Sequence, residues 1–175
     1  MRRVLGSLVI GVVVAGVLVG CDGESGTPVA TSSAPVALWD PCSQISDDAL
    51  RVSGVDPATE ESGIGGVHQS GWEMCTWKGD KYHLTVFSTG RTVAEFEQKP
   101  GYVDFRDVTF AGRTGRQYRV EGASMDLACD VVFSAQQGVV GIGILNSPVL
   151  EPEELDDPCS YMRQVGEVLV PMFPN

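Results

Sequence analysis

Positive charge is scarce in this chain. Lysine and arginine together number 12 against 23 aspartates and glutamates, a formal net charge of -11. Phosphate binding needs a basic surface, so this balance excludes nucleic acid as a partner and broad adhesion to anionic lipid headgroups with it. Histidine is almost absent. His68 and His83 are the only two, and they fit no H-E-x-x-H or related metal spacing, so no metal and no other cofactor is expected. No two cysteines stand as C-x-x-C, which removes zinc knuckles and thioredoxin-like redox chemistry. Gly-x-Ser-x-Gly does not occur, and Gly122-Ala123-Ser124-Met125-Asp126 fails at its last position. Neither Lys78, Lys81 nor Lys99 follows a serine by three, so the Ser-x-x-Lys of penicillin-binding enzymes is missing. Gly63-Ile64-Gly65-Gly66 and Gly141-Ile142-Gly143 lack the rest of a phosphate-cradling loop. With no catalytic motif, the chain reads as a non-enzyme.

What is present begins at the N-terminus. Arg2 and Arg3 precede an apolar run from Val4 to Val19, which closes on Leu18-Val19-Gly20-Cys21. A charged start, an apolar middle and a small residue before the cut make a secretory signal. The cysteine directly after the cut makes the closing four residues a lipobox, predicting a diacylglycerol thioether on Cys21 and cleavage before it. The run is about long enough to span a bilayer. Glycines interrupt it, however, and no positive stop-transfer cluster follows; the next charges are Asp22 and Glu24. From Asp22 to Val36 the chain reads DGESGTPVATSSAPV, too poor in apolar residues to offset its own ordering entropy. The expected organisation is therefore a signal peptide over 1–20, a flexible tether over 21–36 and one folded domain over 37–175, long enough for a real core. The expected location is the cell membrane, lipid-anchored on the extracytoplasmic face, where two acyl chains hold firmly.

Once Cys21 carries lipid, Cys42, Cys75, Cys129 and Cys159 remain. An even number in an exported chain predicts two disulfides, with three pairings open. We expect Cys42–Cys75 and Cys129–Cys159, because each joins a predicted helix start to a predicted strand. The rival, Cys42–Cys159 with Cys75–Cys129, requires those two strands to be neighbours.

The helix starts are marked by one repeated tetrapeptide, Asp40-Pro41-Cys42-Ser43 and Asp157-Pro158-Cys159-Ser160. Aspartate is a good N-cap and proline suits the first helical position. A second short helix follows Ser46 and stops at Gly54, and residues 55–71 read as a long loop. Trp72 to Trp77 and Tyr82 to Ser88 form a predicted hairpin. Thr92 and Glu95 have capping-box spacing, so a short helix follows. Val108 to Ala111 pairs with Gln117 to Val120, and Leu127 to Ala135 with Val139 to Leu145. The last helix carries Met162, Val165, Val168, Leu169 and Met172 at helical spacing and ends at Pro171. The acids from Glu151 to Asp157 are not spaced as calcium ligands and favour the following helix start instead. The predicted fold is α+β, a single, mostly antiparallel twisted sheet with helices packed on one face and two disulfides. Its core should include Leu50, Trp77, Leu84, Val86, Phe110, Val132, Ile142, Val165 and Leu169.

The lipobox, the Ser/Thr/Pro tether, Asp-Pro-Cys at 40–42, Cys-x-Trp at 75–77, the strand cysteine at 129 and Asp-Pro-Cys at 157–159 form a pattern. It resembles the small cell-envelope lipoproteins of actinobacteria grouped as a domain of unknown function. The resemblance runs from Met1 to about Val170. It implies an exported lipoprotein with two disulfides and no established activity, and it supplies no catalytic residue. The expected function is a non-enzymatic binding or interaction module at the cell envelope, in contact with an envelope protein or polymer. Two surfaces are candidates: a groove between sheet and helices, and the basic cluster Arg113, Arg116 and Arg119 in one predicted hairpin. The same arginines also read as charge that protects an edge strand. An accessory factor or enzyme of envelope metabolism is the first alternative and would need titratable groups clustered in a deep pocket. A carrier of an apolar ligand is the second and would need a large apolar cavity.

Overall fold

A computed structural model describes residues 37–122 and 127–175; the expected signal peptide, Cys21 and the expected tether lie outside the described residues. Among these residues seven strands form one antiparallel sheet. In chain order they are β1 (Asp56–Ser62), β2 (Trp72–Lys78), β3 (Tyr82–Thr89), β4 (Tyr102–Phe110), β5 (Arg113–Val120), β6 (Ala128–Ala135) and β7 (Gly138–Asn146). Their lateral order is β1-β2-β3-β7-β6-β5-β4. The sheet is thus two meanders, joined where β7 lies along β3. Helices α1 (Pro41–Gln44), α2 (Asp47–Val52), α3 (Val93–Glu97) and α4 (Pro158–Leu169) complete the fold. Strand outweighs helix.

The repeated tetrapeptide does the same work twice. The Asp40 carboxylate accepts from the Cys42 backbone N–H at 3.0 Å, and that of Asp157 accepts from Cys159 at 2.9 Å. Each cap satisfies a helix N–H that would otherwise lack a partner, and the proline that follows gives up no needed donor. The cysteine one place on is bonded to the sheet, Cys42 to Cys75 on β2 and Cys159 to Cys129 on β6. This is the expected pairing. The rival is excluded by topology, because β3 and β7 stand between β2 and β6. The β4–β5 hairpin closes through Ala111 and Gly112, at φ 49° and 79°. Two consecutive positive φ values match the right-handed twist of the flanking strands, and glycine takes one of them without penalty.

All nine expected core residues are buried. On one face Trp77, Leu84, Val131, Phe133 and Ile142 meet Ile45 and Leu50 from the α1–α2 segment and Met162, Val165 and Leu169 from α4. Each of these aliphatic side chains contributes on the order of 2 kcal/mol on leaving water. Gly166 lets α4 settle closely, for a Cβ there would lie 2.6 Å from the Phe110 ring.

Two expectations are corrected. Helices do not pack on one face alone: α3 lies on the other, where Phe96 joins Phe87, Tyr118, Val132 and Val139 in a second cluster. The cause is visible in the adjacent apolar pairs Val86-Phe87, Val131-Val132 and Val139-Val140, which bury both faces of the central strands. Val132 belongs to this second cluster and not to the first. The second correction concerns 55–71, which contains strand β1. Its sequence, DPATEES, has low strand propensity, but it is an edge strand whose residues alternate between exposed and half-buried. Acids and a proline suit such an edge because they discourage pairing with another chain.

Candidate functional site

The helix-poor face of the sheet carries one cross-strand row through its middle. Thr76 on β2 faces Thr85 on β3, Thr85 faces Gly143 on β7, Gly143 faces Asp130 on β6, and Asp130 faces Tyr118 on β5. The two threonine hydroxyls lie 2.9 Å apart. Gly143 has no side chain to fill the row, and an added Cβ would come within 2.7 Å of the Asp130 carboxylate. The row is therefore a low floor. Thr85, Asp130 and Gly143 are only half-buried although they sit on the three central strands.

Aromatic rings rise around that floor. Phe87 and Phe96 stack with centroids 6.2 Å apart, and Trp72 meets Phe87 at 5.7 Å and Phe96 at 6.2 Å. Across the floor Tyr102 stacks on Tyr118 at 4.6 Å, and Phe105 backs Tyr118 at 5.5 Å. Gly141 allows this wall to close in: its missing Cβ would overlap the Phe87 ring, 2.2 Å from the nearest ring atom. The capping box of α3 fixes Phe96. Thr92 accepts from the Glu95 N–H at 3.3 Å and its own N–H donates to the Glu95 carboxylate at 2.7 Å. Ile64 and Leu145, both exposed, stand at the rim. The result is an open pocket of about 420 Å³, within the range of small-molecule sites and lined as they are, with apolar walls and few polar groups.

Its electrostatics centre on Asp130. No hydrogen bond engages its carboxyl among the described residues. Burial pushes its pKa up from 3.8 to about 7, against which the Lys99 ammonium pulls it down. Tyr118 is driven upward as well, first by burial and then by the Asp130 charge and Tyr102. Lys99 sits at the rim, its ammonium 2.6 Å from the Tyr102 hydroxyl and 4.2 Å from the ring centre. A carboxyl, two phenols and an amine converge here, and among the described residues the pocket wall holds no cysteine, serine or histidine.

The arginines of the expected basic cluster are split between the two faces. Arg113 donates to the Ser134 carbonyl and lies over the Phe133 ring at 5.7 Å, where burial lowers its pKa. Arg119 is only 15% exposed and pairs with Asp157, the N-cap of α4, at 2.5 Å. Arg116 points to the opposite face, binding Glu97 of α3 at 2.6 Å and Asp107 at 3.1 Å. These side chains tie the β4–β5 hairpin to α4, β6 and α3. They do not form one outward patch. Of the histidines, His68 stands 4.0 Å from Glu73, and His83 on β3 has its pKa lowered by burial and by Lys78. Glu60 lies near the Cys42 and Cys75 sulfurs, but these are bonded to each other and offer no thiolate to a metal.

The expected contact surfaces were a groove between sheet and helices, with no residues assigned to it, and the arginine cluster; none of the residues lining this pocket was singled out as a contact. The usable signal was Asp130, a lone acid at an inward position of the apolar strand Ala128–Ala135 opposite a glycine. The model of a family described as a protein of unknown function, DUF3558, matches residues 16–172. No curated protein matches the chain, and neither does any solved structure.

Proposed function

The chain belongs to the DUF3558 family of proteins of unknown function, and we propose that it is an exported, lipid-anchored binding module of the cell envelope whose contact surface is the aromatic pocket. The observation that carries this reading is the pocket itself: a half-open cavity of about 420 Å³ in the middle of the sheet, apolar at its walls and acidic at its floor. Among the described residues that line the pocket there is no serine or cysteine paired with a histidine base, the commonest arrangement for covalent catalysis, and the amine of Lys99 is held against the Tyr102 hydroxyl. Binding is favoured over an enzyme or an accessory to one for that reason. A pure carrier of apolar ligands is disfavoured by the carboxyl in the floor, which an apolar occupant would strip of water without compensation. Anchoring rests on the lipobox that ends at Cys21. Metabolic labelling with an alkyne fatty acid should mark the natural chain and not Cys21→Ser; label on both would overturn the anchor.

The binding role is tested by saturation-transfer NMR. A panel of small aromatic and aliphatic compounds is screened against the mature chain carrying Cys21→Ser, which keeps it free of lipid. Trp72→Ala removes a half-buried wall residue and should abolish the transfer seen with natural Trp72. Equal transfer to both proteins, or none to either, would overturn the pocket as the contact surface.

A further inference from the structure

We infer that the pocket recognises a small amine with an apolar body, its ammonium group seated on Asp130 and its body against Trp72, Phe87 and Phe96. This deepens the pocket reading above and rests on it. Three observations carry it. The Asp130 carboxyl stands on the floor without a hydrogen-bond partner among the described residues, one of its oxygens lying in the space that a side chain at Gly143 would take. A carboxylate in such surroundings is costly until a cation pairs with it. The wall already holds an ammonium, for Lys99 lies over the Tyr102 ring at 4.2 Å, and aromatic faces attract cations within about 6 Å. Finally, the chain carries a formal net charge of -11, a field that concentrates cations at the surface and repels anions.

The groups that face Asp130 define how this site responds to pH. Tyr118 is beside it on β5, Tyr102 on β4 and Lys99 just after α3, while His83 lies two residues from Thr85 on the same face. Burial raises the Tyr118 phenol further from the neutral range, and His83 is lowered away from Asp130. Asp130, near 7, is the group that changes charge between mild acid and mild base. An amine ligand stays protonated over that range, so its affinity follows ionisation of the Asp130 carboxyl.

Calorimetric titration of the mature Cys21→Ser chain tests this with three matched probes: phenethylamine, phenethyl alcohol and phenylacetate. Phenethylamine should bind best, and about tenfold more tightly at pH 8 than at pH 6, while the alcohol holds steady. Asp130→Asn should erase both the preference for the amine and its pH dependence, leaving the weaker alcohol binding in place. Lys99→Met should tighten the amine a few-fold by removing a like charge at the rim. If the amine and the alcohol bind alike in the natural and Asp130→Asn proteins, the amine inference falls and the pocket stands. If phenylacetate binds best, Lys99 is the recognition group and the inference falls. If none of the three binds, the inference falls together with the pocket reading.

Discussion

Asp130 should weaken the empty protein, and the size of the effect follows from its position. In the unfolded chain its carboxyl ionises near 3.8; in the folded pocket it does so near 7. Between those values the folded state keeps a proton that the unfolded state has lost. Stability therefore falls as pH rises through this window, by about 1.4 kcal/mol per pH unit, and stays low above it. The full span is about 4 kcal/mol, an upper bound for a side chain that still opens to the pocket. Asp130→Asn keeps the shape and removes the charge. Urea unfolding with both disulfides intact should show the variant gaining on the natural protein from pH 4 to pH 7, then holding a constant lead of roughly 2–4 kcal/mol. Every other carboxylate is common to the two proteins, so the difference isolates this one. A difference that stays flat from pH 4 to pH 8 would refute the reasoning, because it would mean that the floor carboxyl is as well solvated folded as unfolded. Phenethylamine should return stability to the natural protein at pH 8 and give the variant no comparable gain, since a ligand stabilises only the state that binds it.

Other substitutions probe the frame that holds the pocket. Gly166→Val would press a side chain into the Phe110 ring, already 2.6 Å from an added Cβ, and should cost about 2–3 kcal/mol in denaturant unfolding; a loss within about 0.5 kcal/mol would mean that α4 can shift without penalty. Joint replacement Cys129→Ala and Cys159→Ala opens a loop of sequence separation 30 and should cost about 3 kcal/mol. Peptide mapping of that variant should still find Cys42 bonded to Cys75. Reversal of Arg113, Arg116 and Arg119 to glutamate should lower the thermal midpoint by roughly 5 °C or more, since each side chain is engaged within the fold; an unchanged melt would return these residues to the role of a plain charged surface.

The fold was legible where local chemistry and tertiary context agree. Asp-Pro-Cys marked two helix starts because capping, proline and the staple all act within three residues, and the structure uses both marks as written. The disulfide pairing followed from asking which partner a stapled helix needs. Strand β1 was missed because nothing in DPATEES asks to be a strand; its pairing with β2 imposes the conformation, as in the bond from the Lys78 N–H to the Thr59 hydroxyl at 2.8 Å. Helix α3 was found by its capping box, but its side of the sheet was not. That depended on reading Val86-Phe87 and Val131-Val132 as burial on two faces, a distinction a short apolar run hides until neighbouring strands are known.

The site was harder to read, for a reason that bears on its role. Its parts come from seven elements that the sheet brings into line: Trp72 from β2, Phe87 from β3, Phe96 from α3, Tyr102 from β4, Tyr118 from β5, Asp130 from β6 and Gly143 from β7. No spacing along the chain records that alignment, which is a property of register alone. The arginines misled for the opposite reason. Arg113, Arg116 and Arg119 are close in sequence, yet strand alternation sends Arg116 to one face and the other two to the opposite face. Proximity along a strand says little about a shared surface unless the residues differ by two. The same rule, applied to Asp130 and Val132, places a carboxyl and a core valine on one face, a conflict inside a strand that packing alone would not choose. Local conflicts with an otherwise consistent pattern gather at functional positions, and this one sits opposite Gly143, whose missing side chain makes room for the carboxyl itself.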